Sequence, residues 1–149
     1  MRTFRHSFFV DAEIEKVWNF YKNIKHLEVI TPPGLGIRVL KSTHQELQQG
    51  SEVWLTGKLV TRSNWHSRIT ALRPYEYVDE MISGRFKVWK HTHRFVDAKD
   101  GKTEVIDEIV FALHYGFIGR LFEGVVMNRL DRVFAHRKEA TRAYFEKAR

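Results

Sequence analysis

From Phe117 onward the chain carries one unbroken helical pattern, and no other feature restricts the fold as much. Ile118, Leu121, Phe122, Val125, Val126, Leu130, Val133, Ala140 and Tyr144 form a broad apolar arc at helical spacing, with Phe134 and Phe145 on one edge. At 1.5 Å per residue the element is roughly 45 Å long. A helix so long and so apolar on one side cannot stand free in water. A sheet must cover it.

The sheet is found upstream, where the period switches to two between 37 and 113. Strands are expected at 37–41 and 52–60, then near 64–73, 76–83, 86–96 and 103–113, with turn signals at Arg73-Pro74, Ser83-Gly84 and Asp100-Gly101. Short strands joined by tight connections imply an antiparallel meander. A first strand, rich in Phe and Val, covers 3–10. Asp11 is a good helix N-cap, with Glu13 and Glu15 in the first turn. Ile14, Val17, Trp18 and Tyr21 then make one apolar stripe. A second helical piece over 23–30 is stopped by Thr31-Pro32-Pro33-Gly34-Leu35-Gly36, since a residue before proline is pushed out of the helical region.

Composition narrows the class. At 149 residues the chain has the size of one domain, expected to span 1–149. It has no cysteine, so disulfides and thiolate metal sites are excluded. The net charge of +7 invites a nucleic-acid reading, but the basic residues of 120–149 are interleaved with acids and no binding motif accompanies them. They describe a solvated helix face, and no nucleic acid is expected as a partner. Met1-Arg2-Thr3-Phe4-Arg5-His6 lacks the apolar core of a signal peptide, and no apolar run approaches the roughly 20 residues of a membrane-spanning helix. A cytoplasmic address is therefore expected.

The most telling stretch for function is Trp89-Lys90-His91-Thr92-His93-Arg94-Phe95. On a strand, residues two apart share a face, so Trp89, His91, His93 and Phe95 look the same way. A face that is mostly apolar yet carries two imidazoles suits a shielded pocket better than a dry core. A three-residue loop Lys99-Asp100-Gly101, with Gly101 left-handed, pairs Phe95 with Val105, His93 with Asp107, His91 with Ile109 and Trp89 with Phe111. The alternative two-residue loop would set this face beside Glu104, Ile106 and Glu108, so hydrophobic matching selects the first register.

Each candidate group has a plainer alternative. His91 and His93 could hold a metal only if Asp107, His66 or His114 converged on them, and two ligands on one strand make a weak signal; no metal or other cofactor is expected. They could instead donate hydrogen bonds to the polar handle of a mostly apolar guest. They could equally form a structural network in which His93 bonds Asp107, and the two roles are compatible. Arg129 and Arg137 both fall within the apolar arc, where a charge is costly unless paired. Arg137 could bind a carboxylate or phosphate, or each could reach the rim or pair with Asp107, Asp79 or Glu80. Trp18, Trp54, Trp65 and Trp89 could line an aromatic pocket or simply fill the core; Trp18 is expected in the core, while Trp65 and Trp89 lie on meander strands and are pocket candidates. Hydrolytic chemistry is poorly supported, because no nucleophile motif is present. A cyclase or dehydratase needs only an enclosed acid–base, which His93 with Asp107 could supply.

Gly84-x-Phe86-x-x-Trp89-x-His91-x-His93-x-Phe95, Thr31-Pro32-Pro33, Asp107-x-Ile109-x-Phe111, Gly116-x-x-Gly119-Arg120-Leu121 and Phe134-x-x-Arg137 together resemble the SRPBCC superfamily over essentially the whole chain. That superfamily includes START lipid-transfer domains, the birch-pollen-allergen fold and polyketide cyclases/dehydrases. More narrowly, the chain resembles the SRPBCC domain found alone in bacteria and archaea, or fused ahead of sugar-epimerase-like modules in cell-division-inhibitor homologues. It departs from the pattern at Arg85 and His114, where proline is common, and it has no Gly-x-Gly-x-x-Gly loop for a dinucleotide. The resemblance implies an α+β helix-grip fold: a curved antiparallel sheet of about seven strands around a long C-terminal helix, with two short helices after the first strand. It also implies an internal cavity for a small apolar or amphipathic molecule. The expected ligand-binding residues are Trp65, Trp89, His91, His93, Phe95, Asp107, Phe111, Arg129 and Arg137. Binding or carriage without catalysis is the favoured expectation, and a cyclase/dehydratase-type enzyme is the alternative. Weak homo-oligomerisation is compatible with either.

Overall fold

In the computed structural model, which describes residues 1–148, the chain runs β1 (Arg2–Val10), α1 (Ile14–Lys22), α2 (His26–Ile30), a 3-10 turn (Pro33–Leu35), β2 (Arg38–Ser42), β3 (Glu52–Lys58), β4 (Arg62–Arg73), β5 (Glu76–Ser83), β6 (Phe86–Asp97), β7 (Thr103–Leu113) and α3 (Gly116–Lys147). All seven strands form one antiparallel sheet in the order β1-β7-β6-β5-β4-β3-β2. Register shifts interrupt the β2/β3, β4/β5 and β6/β7 ladders, and such bulges bend a sheet. The concave side receives α3, whose 32 residues span about 48 Å. This is the helix-grip architecture that the sequence implies. Among the described residues no helix is long and apolar enough to cross a membrane.

The β6–β7 hairpin has the register that hydrophobic matching selects, with Phe95 opposite Val105, His93 opposite Asp107, His91 opposite Ile109 and Trp89 opposite Phe111. Its loop is more strained than expected: Lys99 and Asp100 share the left-handed conformation with Gly101. Helix α1 begins later than its sequence suggests. Glu13, not Asp11, occupies the N-cap position, and it makes no side-chain cap hydrogen bond. Thr103 Oγ1 donates to the Ala12 carbonyl, which ties this approach to the start of β7.

The largest correction concerns α3. Its buried positions are Gly119, Glu123, Val126, Leu130, Phe134, Arg137, Thr141 and Phe145. Phe134 and Phe145 therefore lie on the centre line of the buried stripe, not on its edge. Ile118, Leu121, Phe122 and Val125, expected on the apolar arc, are exposed. The first turns of α3 are apolar on nearly every side, while three positions on the sheet-facing side carry Glu123, Arg137 and Thr141. Counting apolar residues alone rotates the arc away from the true contact face.

Two apolar clusters result. One gathers Val17, Trp18, Phe20 and Tyr21 of α1 against Phe95 and the C-terminal Phe145. The other packs Phe4, Ile109 and Phe111 against Val126, Leu130 and Phe134. A hollow bounded by β3 to β7, α2 and α3 reaches from this packing to the open end of the sheet.

Candidate functional site

Strand pairing fixes the polar groups. The pleat points His91 and His93 of β6 toward α3, and the flanking strands place Asp79 of β5 opposite His91 and Asp107 of β7 opposite His93. Arg137 reaches the same point from α3. His91 Nε2–H donates to Asp107 Oδ1 at 2.7 Å, and His93 Nε2–H donates to Asp79 Oδ2 at 2.8 Å. With that tautomer, His93 Nδ1 accepts from Arg137 Nη2 at 3.4 Å. The two imidazoles stack with centroids 3.5 Å apart, and Tyr77 stacks on the far side of His93 at 4.1 Å. The guanidinium also lies over the rings of Tyr21 and Phe134, at 5.1 and 5.3 Å.

This is a different network from the expected one. His93 makes its short bond to Asp79, not Asp107, while Asp107 takes His91. His93 Nδ1 is nonetheless 3.3 Å and Arg137 Nη2 3.9 Å from Asp107 Oδ1, so this carboxylate is the hub. Burial alone would raise the Asp107 pKa, but the Arg137 guanidinium and the bond from His91 outweigh it and hold the carboxyl well below its ordinary value. Asp79 is lowered for a related reason, the His93 bond overcoming its desolvation. His91 is pushed down to about 4, first by desolvation and then by the neighbouring His93. It is therefore a neutral imidazole at neutral pH. Asp107 Oδ2 and Arg137 Nε are buried without a hydrogen-bond partner among the described residues.

The cluster lines an inner chamber of ≈190 Å³. Asp79, His91, His93, Arg137 and Tyr77 face this chamber, and Leu27, Ile30, Leu55, Ile69, Ile109 and Leu130 supply apolar wall. Trp65, Trp89 and Leu59 separate it from an outer chamber of ≈360 Å³ that opens between the first turns of α3 and the ends of the strands. The outer volume alone falls in the range of small-molecule sites, ~300–1,000 Å³.

The expected site residues therefore divide. Trp65 and Trp89 line both chambers, and His91, His93 and Arg137 line the inner one. Asp107, fully buried, stands behind the histidines and touches them rather than the chamber. Phe95 packs on Trp18 and Tyr21, and Phe111 on Phe86 and Trp89, within the core. Arg129 is half-buried and lines neither chamber, because the buried stripe passes through 126, 130 and 134. Sequence reasoning missed Tyr77, and it offered Asp79 only as a partner for Arg129 or Arg137, not for the histidines. The signal was available in the β5–β6 hairpin, whose pairing puts Tyr77 and Asp79 beside the two histidines. As potential metal ligands, Asp79, His91 and His93 bring one ligand atom each within 4.8 Å of one another. His66 is instead bonded to Glu52 at 2.9 Å, and His114 is exposed at the outer chamber, so neither joins them.

The sequence matches the family model described as "Polyketide cyclase / dehydrase and lipid transport" over residues 10–139. No curated protein sequence matches it. Among solved structures, a START superfamily protein from Mycobacterium smegmatis superposes with a TM-score of 0.76 at 9% identity, over 99% of each chain. Norcoclaurine synthase from Thalictrum flavum, in complex with dopamine and hydroxybenzaldehyde, gives 0.73 at 13% identity, over 99% of this chain and 88% of that one. The Zhui aromatase/cyclase from Streptomyces sp. R1128 gives 0.68 at 17% identity, over 95% and 89%. At these identities the likeness is one of fold.

Proposed function

Because this chain belongs to the polyketide cyclase/dehydrase and lipid-transport family, within the SRPBCC superfamily, we propose that its hollow takes up a small amphipathic molecule. The apolar part of the guest lies along Trp65, Trp89 and the aliphatic wall. Its polar end meets His91, His93, Asp79 and Arg137. The observation that carries this reading is the presence of a largely buried charged cluster in the wall of a mostly apolar chamber. Burying the Asp107 carboxylate and the Arg137 guanidinium is costly, and a core built only for stability gains nothing from it. A guest with hydrogen-bonding groups at one end does use it. Native mass spectrometry of gently purified protein, followed by solvent extraction, tests this. A bound species of defined mass, reduced in the His93→Ala protein, is expected. Absence of any adduct, together with no uptake of amphipathic aromatics, removes the reading.

A second reading is acid–base catalysis on such a guest, favoured by one specific observation. His91 faces the inner chamber with its tautomer fixed by Asp107, the arrangement of an oriented acid–base group. Fold relatives include an aromatase/cyclase and a synthase captured with an amine and an aldehyde. Turnover of a polyketide-like or hydroxylated aromatic substrate, abolished by His91→Gln, would establish it. Binding of such compounds without turnover would leave carriage alone.

A further inference from the structure

The first three turns of α3 expose apolar surface that neither the core nor the inner chamber uses. Tyr115 is 86% exposed, Phe117 69%, Ile118 61%, Leu121 66% and Phe122 57%. Val60, exposed on the β3–β4 connection, and Ile82, exposed near the end of β5, lie at the same end of the sheet. Scattered exposed hydrophobics need no explanation, but a contiguous group on one helix end marks a surface that meets something else.

Charge says what that is. Lys58, Arg62, Arg85, Lys87 and Arg120 are all exposed around this end, and none forms an ion pair among the described residues. Across 58–63, 81–90 and 112–126 the only acidic residue is Glu123. It is buried and lies 3.8 Å from the N-terminal ammonium, so it offsets none of the exposed cations. An apolar helix end ringed by unpaired cations is the pattern of a segment lying in the interface of an anionic bilayer. We propose that this end of the molecule docks on an anionic lipid surface, with Phe117, Ile118, Leu121 and Phe122 entering the headgroup–acyl boundary and the cations meeting lipid phosphates. A second copy of the chain is the weaker occupant, because a two-fold contact through this face would set the same cations against each other. Docking would also lay the mouth of the outer chamber, lined by Ile118, Phe122 and Val125, against the hydrocarbon. The proposal does not depend on the chamber holding a guest.

Co-sedimentation of the whole chain with sucrose-loaded vesicles tests it, using phosphatidylcholine with and without phosphatidylglycerol. Binding is expected only with phosphatidylglycerol, and it should weaken as salt is raised. Phe117→Ser with Leu121→Ser, at two exposed positions that line neither chamber, should weaken vesicle binding at least about tenfold with unchanged circular dichroism. Arg85→Glu with Arg120→Glu should do the same through charge. No sedimentation with anionic vesicles, or equal sedimentation of the wild-type and double-serine proteins, overturns the proposal. So does a concentration-dependent dimer that the double-serine protein loses while vesicles stay unbound. Retention on an oligonucleotide without vesicle binding would count the same way.

Discussion

Replacing Asp107 with Asn isolates the hub of the buried network. Asp107 is wholly buried, and its Oδ1 meets His91 at 2.7 Å, His93 at 3.3 Å and Arg137 at 3.9 Å. Asparagine keeps the shape and one oxygen, so the bond from His91 Nε2–H survives. The charge does not, and Arg137, only 7% exposed, is left without its counter-ion. Removing one partner of a buried pair costs ~3–5 kcal/mol. The separation of 3.9 Å and the aromatic faces of Tyr21 and Phe134 under the guanidinium moderate that loss, so about 3 kcal/mol is expected. Urea unfolding at pH 7, followed by tryptophan fluorescence, gives the number. Arg137→Met added to Asp107→Asn should restore most of the stability, because the methionine stem still packs on Tyr21 and Phe134 and no charge stays buried alone. If Asp107→Asn costs less than about 0.5 kcal/mol, or the double variant is no more stable than the single, the pairing argument fails.

The other expectations are simpler. The His91 pKa, about 4 when folded and near the ordinary histidine value of 6.5 when unfolded, means the unfolded chain takes up the proton first. Stability should be fully present above pH ~6.5 and fall toward pH 4 by up to about 3 kcal/mol, while the Asp107 share is lost only below its unfolded pKa of ~4. A His91→Gln protein with an equally steep profile between pH 6.5 and 4 would contradict this. Phe111→Ala should cost ~3–5 kcal/mol in thermal or urea unfolding, and Phe117→Ala under about 0.5, because the first is enclosed and the second 69% exposed. Similar losses at both would show that the first turns of α3 pack in solution. A Cβ at Gly119 would collide with the His114 carbonyl oxygen, so Gly119→Ala should destabilise by ~1–3 kcal/mol; a neutral or stabilising result would mean the β7–α3 junction relaxes freely.

How much of this was legible in the sequence follows from where the forces act. The strands of the meander were readable because alternation on a half-buried sheet is a local signal, and the 95–105 register because a one-residue slip would have exchanged an apolar partner face for a charged one. The face of α3 was not. Its buried side includes Glu123, Arg137 and Thr141, which are tolerated by tertiary partners: Thr141 shares a hydrogen bond of 2.7 Å with Tyr21, and Arg137 rests on His93 and Asp107. Composition-based periodicity cannot anticipate partners from elsewhere in the chain. The same limit hid the bond between Asp79 and His93. The histidine strand was read against β7 alone, although β5 lies on its other side and supplies the second carboxylate. Phe95 and Phe111 were on the right face but at the wrong depth, since a strand face that borders a chamber also borders the core.

The central claim is that the space between sheet and α3 is hollow and receives an amphipathic guest. Titration calorimetry with 1-anilinonaphthalene-8-sulfonate, an aromatic anion, measures this on three proteins: wild type, Val133→Trp, which fills the inner chamber, and Leu121→Ser, which alters only the outer surface. Saturable one-to-one binding that is lost in Val133→Trp and kept in Leu121→Ser is the predicted result. No binding to the wild type, or binding indifferent to Val133→Trp, would contradict it.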